Sequence, residues 1–259
     1  MFLYYKKRYQ TCLQMLDCAR KEFTVLKDEI LSYAGVLDPM AEGWVTVLVG
    51  KEENRERVKY TQATKEYYVD VLLGVSTDSG DLMGVVENCS LSAGSYKQDE
   101  IMKIISAVSS FPDLYEQRVS RLANKKFQGK PLWLYALEDR YIADEDLPLN
   151  EVQLFERELV AMYEISEKVL IDDLVSMGEV FGGNFRMDRI LPSWNRLFGE
   201  RLIEKAYQYF KIITLRLKVS KGFFVREFVK DVSRQVNYPL VIYRLKRTEV
   251  EERDLVTVI

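Results

Sequence analysis

A single carboxylate stands in a constrained segment, Gly35-Val36-Leu37-Asp38-Pro39-Met40-Ala41-Glu42-Gly43. Pro39 fixes its own φ and disfavours a helical conformation in the residue before it, which predicts an extended Asp38. The two glycines allow tight turns and the close approach of another chain segment. Such a loop can hold one acid rigidly in a cleft, where the acid could act as a nucleophile or a base. The alternative from these residues alone is an Asx-turn, in which Asp38 only caps its own loop.

The chain of 259 residues contains no histidine, which excludes several classes of catalytic site. A Ser-His-Asp triad, a Cys-His dyad and a His-ligated metal all need an imidazole. Its three cysteines, Cys12, Cys18 and Cys89, form no CxxC pair, so they predict neither a disulfide framework nor a zinc site. No Gly-rich phosphate-binding pattern is present. Catalysis must therefore use carboxylate, Tyr, Lys, Arg or Cys side chains, and the residues support neither a His-ligated metal nor a nucleotide cofactor.

The composition indicates which broad class of protein this is. Apolar residues make up 47% of the chain and charged residues 30%, values typical of soluble globular proteins. No apolar run approaches the roughly 20 residues that span a bilayer. The first residues place their positive charges after the apolar ones, the reverse of a secretory signal. We therefore expect a cytoplasmic protein with no membrane contact.

The charges are unevenly distributed along the chain. The net charge is −3, so no global positive field would attract nucleic acid. A protein that is acidic overall can nevertheless present one basic face. The alternative is that each cluster is a set of solvated surface charges. The basic clusters are Lys6-Lys7-Arg8, then Lys125, Lys126 and Lys130, then Arg216, Lys218, Lys221 and Arg226, and finally Arg244, Lys246 and Arg247.

Strand and helix patterns alternate without βαβ regularity, which favours an α+β domain with a mixed sheet. Thr11 and Gln14 fit a capping box at the start of a helix. Pro112 ends another helix, and Gly182-Gly183-Asn184 predicts a break between two more. The predicted strands cover residues 2–5, 44–49, 67–73, 84–88, 114–122, 151–165, 212–219 and 240–245. The predicted helices follow Thr11 and cover residues 51–62, 98–108, 131–137, 166–177, 193–210 and 223–236.

The loop that holds Asp38 resembles the catalytic loop of the bacterial tRNA pseudouridine-55 synthase family, whose pattern is G-x-L-D-P-x-A-x-G. Further segments resemble the family's motifs and occur in the same order. They are Lys65-Glu66-Tyr67 with Val69 (K-x-Y-x-V), Thr77-Asp78-Ser79-Gly80-Asp81-Leu82-Met83-Gly84 (T-D-x-x-D-x-x-G), Lys126-Phe127-Gln128-Gly129-Lys130 with Leu132 (K-x-x-G-K-x-L), Ser220-Lys221-Gly222-Phe223-Phe224-Val225-Arg226 (S-K-G-x-Y-x-R) and Leu245-Lys246-Arg247 (L-R-R).

The resemblance implies a role for individual residues. Asp38 matches the catalytic aspartate, Tyr67 the tyrosine that stacks on the flipped uracil, and Arg226 the arginine that pairs with the catalytic acid. From the residues alone, Tyr67 could be a core aromatic, the commoner place for such a side chain, and Arg226 could equally bind another acid or a phosphate. The implied fold is α+β, a pseudouridine-synthase-like mixed, mostly antiparallel sheet flanked by helices. The predicted substrate-binding residues are Tyr33, Phe224, Leu245, Lys6, Lys126, Gly129, Lys221, Gly222 and Arg247.

The chain also departs from the family pattern. Tyr33 stands where the family usually has a histidine that assists base flipping, and we hypothesise that Tyr33 replaces it. Phe224 replaces a tyrosine. The family's early K-P-x-G-x-T-S motif is matched only in part, by Lys6-Lys7-Arg8-Tyr9-Gln10-Thr11-Cys12. We expect one catalytic domain with a helical insertion around residues 166–210 and no C-terminal RNA-binding PUA domain.

The function implied by the resemblance is isomerisation of a T-loop uridine of tRNA, U55, to pseudouridine, by a monomer without cofactor or metal. An alternative is a catalytically weak or silent tRNA-binding protein that remodels the T-arm, suggested by the missing histidine and PUA domain. A third alternative is a small-molecule enzyme or a scaffold protein, which only the acidic net charge favours.

Overall fold

The computed structural model describes residues 1–90, 97–138, 140–182, 185–204 and 209–251, apart from the side chains of 200–204, 249 and 251. An eight-stranded sheet forms its centre, and two short hairpins lie outside that sheet. The strands are β1 (Phe2–Lys6), β2 (Leu31–Ala34), β3 (Glu42–Val49), β4 (Thr64–Leu73), β5 (Val75–Thr77), β6 (Val86–Cys89), β7 (Leu114–Arg118), β8 (Lys126–Phe127), β9 (Lys130–Pro131), β10 (Leu149–Ser166), β11 (Tyr209–Val219) and β12 (Leu240–Glu251).

The central sheet is mixed and mostly antiparallel. Its strand order is β1-β3-β12-β4-β11-β10-β7, and β2 pairs with residues 46–49 of β3. Only β12 and β3 run parallel among these strand pairs. The last long strand of the sequence therefore lies beside the strand that follows the Asp38 loop. This arrangement confirms the predicted α+β class.

The helices pack against both faces of the sheet. Ile213 and Leu215 of β11 face α4 and α8, whose apolar side chains share an interior void with them. Phe210 projects to the opposite face, where its ring contacts Phe198 of α7. No helix within the described ranges is long and apolar enough to cross a bilayer. The helices are α1 (Cys12–Glu22), α2 (Gly50–Arg55), α3 (Arg57–Thr61), α4 (Gln98–Ser109), α5 (Leu132–Leu137), α6 (Glu167–Phe181), α7 (Met187–Glu204) and α8 (Val225–Val236).

One row of residues crosses five strands at the end of the Asp38 loop. In this row Lys6 pairs with Gly43, Gly43 with Arg247, Arg247 with Tyr67, and Tyr67 with Leu217. Paired residues of neighbouring strands project from the same face of a sheet. The side chains of Lys6, Arg247 and Tyr67 consequently share the face on which the Asp38 loop is anchored.

Gly43 is required where β3 meets β12. Its φ of +129° is one that L side chains rarely adopt, and an added Cβ would lie 2.1 Å from the carbonyl oxygen of Arg247. We expect Gly43→Ala to lower the free energy of unfolding by about 3–5 kcal/mol, measured by urea denaturation. Gly129→Ala is the control, because its φ is also positive (+85°) but its Cβ would meet nothing within 4 Å. It should cost only about 1 kcal/mol. Equal losses would contradict the close approach of the two strands.

Several predicted elements differ from the observed ones in identifiable ways. The capping box of Thr11 and Gln14 is present at α1, but strand β2 was not predicted. The predicted helix at 193–210 begins earlier, at Met187, and continues through Pro192, because Ile190 and Trp194 are both fully buried on it. Residues 209 and 210 belong to β11, and 205–208 lie outside the described residues. Of the predicted glycine break, Gly183 and Asn184 also lie outside them.

Candidate active site

Asp38 lies in the loop between β2 and β3. Its carbonyl accepts a hydrogen bond from the backbone N–H of Ala41 at 3.0 Å, which closes a tight turn. The neighbours Leu37, Met40 and Ala41 are buried, whereas the side chain of Asp38 keeps 34% of its surface exposed. The loop is thus anchored on both sides of an acid that solvent can reach.

Arg226 is the partner of this acid. Its Nε lies 2.7 Å from Oδ2 of Asp38, and its side chain is only 5% exposed. It stands in the first turn of α8, which begins at Val225, and its Nη1 donates to the carbonyl of Ser79 at 3.2 Å. Burial alone would lower the pKa of Arg226, but Asp38 and a second carboxylate, Asp81, raise it. The guanidinium therefore remains charged where it contacts Asp38.

Asp81 is a second acid at the site, and it was not singled out from the sequence. Its Oδ2 lies 3.6 Å from Nε of Arg226, and its side chain is 4% exposed. Its Oδ1 accepts hydrogen bonds from the Ser79 hydroxyl at 2.7 Å and the Met83 backbone at 2.9 Å. Burial raises the pKa of Asp81, and Arg226 opposes that shift. The sequence signal was the second Asp of the T-D-x-x-D turn, which the pattern alone indicates only as a turn.

Two cations predicted to contact substrate instead support the Asp38 loop from inside. Lys6 is fully buried, and its Nζ donates to the carbonyls of Ala41 at 2.6 Å and Pro39 at 3.3 Å. Arg247 is 1% exposed and donates to the carbonyls of Trp44 at 2.7 Å and Gly35 at 2.9 Å. Phosphate contacts do not fit this placement. Buried carbonyls of the loop and of the first residues of β3 need donors, and these buried cations supply them.

Lys6 gives the fold a measurable pH dependence. Burial lowers the pKa of Lys6 to about 8, from an ordinary value of 10.5. Between these two values the unfolded chain keeps a proton that the folded chain has lost, so stability rises with pH. We expect the free energy of unfolding of the wild type, relative to Lys6→Met, to rise by about 3 kcal/mol from pH 8 to 10.5. Urea denaturation across this range measures it.

Lys7→Met, at an exposed neighbouring position, is the control and should follow the wild-type pH dependence. If the free energies of unfolding of the wild type and Lys6→Met changed with pH in the same way, the lowered pKa of Lys6 would be contradicted.

Tyr67 and Leu245 lie on the same sheet face as the loop supports. Tyr67 is 7% exposed and Leu245 5% exposed. Leu245 pairs with Val69 on β4, two residues from the pairing of Arg247 with Tyr67. Both predicted residues therefore lie on the sheet face from which Arg247 reaches the Asp38 loop.

Tyr33 and Phe224 lie in different surroundings. Tyr33 is half-buried on β2, and the guanidinium of Arg57 lies 5.4 Å from the centroid of its ring. Phe224 immediately precedes α8, and its backbone N–H donates to Oε1 of Gln117 at 2.7 Å. Its ring packs against the small second hydrophobic cluster beside α5. Phe224 therefore fixes the start of the helix that carries Arg226.

The remaining predicted contacts lie on exposed loops that are joined to each other. The β8–β9 hairpin is linked to the loop before α8 through Asn150. This residue accepts from Lys125 Nζ at 2.6 Å and donates to the carbonyl of Gly222 at 3.2 Å. The exposed predicted residues on these two loops are Lys126, Gly129, Lys221 and Gly222. Among the residues that the structure describes, no group of three or more potential ligands is placed to hold a metal ion.

Comparison with known families identifies the family of this chain. Residues 24–178 match the TruB family of pseudouridylate synthases, in its N-terminal domain. The chain belongs to this family. The matched residues include Asp38, Tyr67 and Asp81, while Arg226 lies beyond them.

Individual relatives of this TruB-family chain agree with the family match. A tRNA pseudouridine synthase B of Thermosipho melanesiensis is 33% identical over 155 residues, which cover 58% of this chain and 46% of the relative. One of Protochlamydia amoebophila is 33% identical over 145 residues, covering 56% and 52%. The chain thus spans about half the length of the curated relatives it matches.

A solved structure supports the fold. The structure of a Cbf5–Nop10–Gar1 complex aligns with a TM-score of 0.52 at 15% identity, covering 99% of this chain and 52% of that one. The likeness shows that the TruB-family chain has a pseudouridine-synthase-type fold.

Proposed function

We propose that this TruB-family chain is a tRNA pseudouridine synthase that isomerises U55 in the T-loop, as a monomer and without a cofactor. The observation that carries the proposal is the 2.7 Å contact between Asp38 and the buried Arg226. A reactive carboxylate must be reachable by substrate and held in a fixed orientation. Asp38 meets the first condition by its exposed side chain and the second through its contact with Arg226.

The reaction requires one well-placed acid. The bond between N1 of uracil and C1′ of ribose breaks, the base turns, and a bond from C5 to C1′ forms. The proton on C5 leaves and N1 gains one, so no atoms are added and no redox partner is consumed. A carboxylate can serve as the nucleophile or as the base that removes the C5 proton. In this proposal Asp38 has that role and Arg226 orients it.

The substrate base must leave the RNA stack before it can react. Enzymes that act on a base extrude the nucleotide and bind it against an aromatic face. Tyr67 would supply that face, and Leu245 would line the pocket beside it, because both lie on the sheet face that supports the Asp38 loop. Tyr33 would take the place of the missing histidine in base flipping. Unchanged turnover of Tyr33→Ala would contradict this last role.

Binding of the RNA backbone would rest on the exposed loops. Lys126 and Lys221 would contact phosphates there, fixing the register of the RNA without reading its sequence. Such binding weakens with salt, with a log–log slope close to the number of phosphates neutralised. The proposal includes a single catalytic domain, with α6 and α7 as a helical insertion around residues 166–210.

Release of tritium from tRNA labelled at C5 of uridine tests the proposal. Each turnover replaces the C5–H bond by a C5–C1′ bond and should deliver one tritium to water. Filter binding of the same tRNA is measured in parallel. Binding without release would instead indicate a protein that remodels the T-arm. Neither binding nor release would indicate a different substrate.

A further inference from the structure

Arg186 lies immediately before α7, outside the motifs from which the site was predicted. We infer that it is a positioning residue, which orients the Asp38–Arg226 pair by holding the turn of residues 77–84. The inference rests on the proposed function, because orientation of this pair matters only if Asp38 reacts.

Arg186 makes a two-point contact with Asp78. Its Nη1 lies 2.6 Å from Oδ2, and its Nη2 donates to Oδ1 at 3.3 Å. The side chain of Arg186 is 12% exposed. Phe185 and Arg186 have φ of +57° and +62°, a conformation that is unfavourable in non-glycine residues. Two consecutive residues in this region are retained only where surrounding contacts compensate, and the fork to Asp78 is such a contact.

Asp78 closes the turn and connects it to α8. The backbone N–H of Asp78 donates to the carbonyl of Val85 at 3.0 Å, and Oδ1 of Asp78 accepts from the N–H of Val85 at 2.9 Å. The carbonyl of Asp78 accepts from Nζ of Lys230 at 2.6 Å. Arg186 therefore binds the residue through which the turn is both closed and fastened to the helix of Arg226.

The turn leads from Asp78 directly to the active-site guanidinium. The next residue, Ser79, accepts from Nη1 of Arg226, and Asp81 approaches Nε of the same side chain. Gly80 packs so closely on α8 that an added Cβ would lie 3.3 Å from the Arg226 carbonyl oxygen. A shift of Asp78 would consequently move two of the groups that orient Arg226.

Helix α7 also holds the other end of the turn. Nε1 of Trp194 donates to the carbonyl of Gly84 at 3.2 Å, and the Ser193 hydroxyl accepts from the N–H of Val86 at 3.0 Å. Trp194 has no exposed surface. Arg186 and Trp194 thus fix both ends of the segment from which Asp81 reaches Arg226.

The test compares Arg186→Gln with Arg157→Gln. Arg157 forms an equally short pair, 2.6 Å from Asp113, on β10 and without contact to the turn. We expect Arg186→Gln to lower kcat for tritium release by about tenfold, since small misplacements of catalytic groups are costly. KM for tRNA should stay within about twofold. Arg186→Lys, which keeps the charge but not the fork, should recover part of the loss. Arg157→Gln should change neither constant.

A second measurement does not depend on turnover. The Nε–H of Arg226 can be followed by ¹⁵N NMR, and its exchange with solvent should be about tenfold faster in Arg186→Gln than in the wild type or Arg157→Gln. If Arg186→Gln does not fold, Trp194→Phe removes one hydrogen bond from the same turn and should accelerate the exchange in the same direction.

The outcomes distinguish failure of the proposed function from failure of the positioning role of Arg186. No tritium release from the wild type would defeat the proposed function, and the exchange measurement would still decide the positioning role. Wild-type values of kcat and exchange in Arg186→Gln, or equal changes in Arg157→Gln, would overturn the inference.

Discussion

Asp38→Asn should abolish pseudouridine formation, lowering single-turnover tritium release by about 10⁴-fold or more. The amide has nearly the shape of the carboxylate but can neither attack an electrophilic carbon nor accept the C5 proton. Because the side chain of Asp38 is one-third exposed and the loop is held by Lys6 and Arg247, the fold should tolerate the change. Affinity for tRNA should stay within about threefold, since the phosphate contacts are elsewhere.

Asp28→Asn is the matched control for this substitution. Asp28 is exposed in the turn before β2, so its loss should leave turnover and binding at wild-type values. Appreciable turnover by Asp38→Asn would show that another group performs the chemistry.

Arg226→Met should destabilise the fold and also remove activity. Methionine fills a similar volume but leaves Asp81 buried without its cation, a change that typically costs about 3–5 kcal/mol. Burial already raises the pKa of Asp81, so protonation should relieve part of the cost. The loss of stability should therefore be smaller at pH 5 than at pH 8. Urea denaturation at the two pH values measures this.

Two variants separate the structural part of this effect from the catalytic part. Arg234→Met lies on the same helix, but its side chain is 54% exposed in its pairs with Asp231 and Glu227. It should cost less than about 1 kcal/mol. Arg226→Met combined with Asp81→Asn should recover stability but no turnover, because Asp38 still lacks its guanidinium. Recovery of both would mean that Arg226 acts only through folding.

The fold follows from patterns that are local in the chain. Local strand patterns predicted most strands of the sheet, and the capping box of Thr11 and Gln14 marked the start of α1. Strand β2 has only four residues, too few for a periodic signal. The predicted helix began at residue 193, but α7 starts earlier and runs through Pro192, where packing of the fully buried Trp194 outweighs the hydrogen bond that proline removes.

The role of a residue could be predicted where a single motif indicates it. It was harder to predict where the role depends on contacts between segments that are distant in the sequence. The contact of Asp38 with Arg226, 188 positions later in the sequence, could be expected from the family resemblance alone. Lys6 and Arg247 were predicted to contact substrate because the sequence shows that a residue is charged but does not show whether it is buried. Their actual partners are loop carbonyls, which depend on the pairing of β3 with β1 and with β12. Asp81 was missed for the same reason, since its role depends on the turn that brings it to Arg226.

Mapping of pseudouridine in an unmodified tRNA transcript tests the central claim most directly. The transcript is incubated with the wild type or with Asp38→Asn, and modified positions are located by carbodiimide adduct formation and primer extension. We predict one pseudouridine, at U55, with the wild type and none with Asp38→Asn. A transcript that the wild type binds but leaves unmodified, or that both proteins modify equally, would contradict the claim that Asp38 drives this isomerisation.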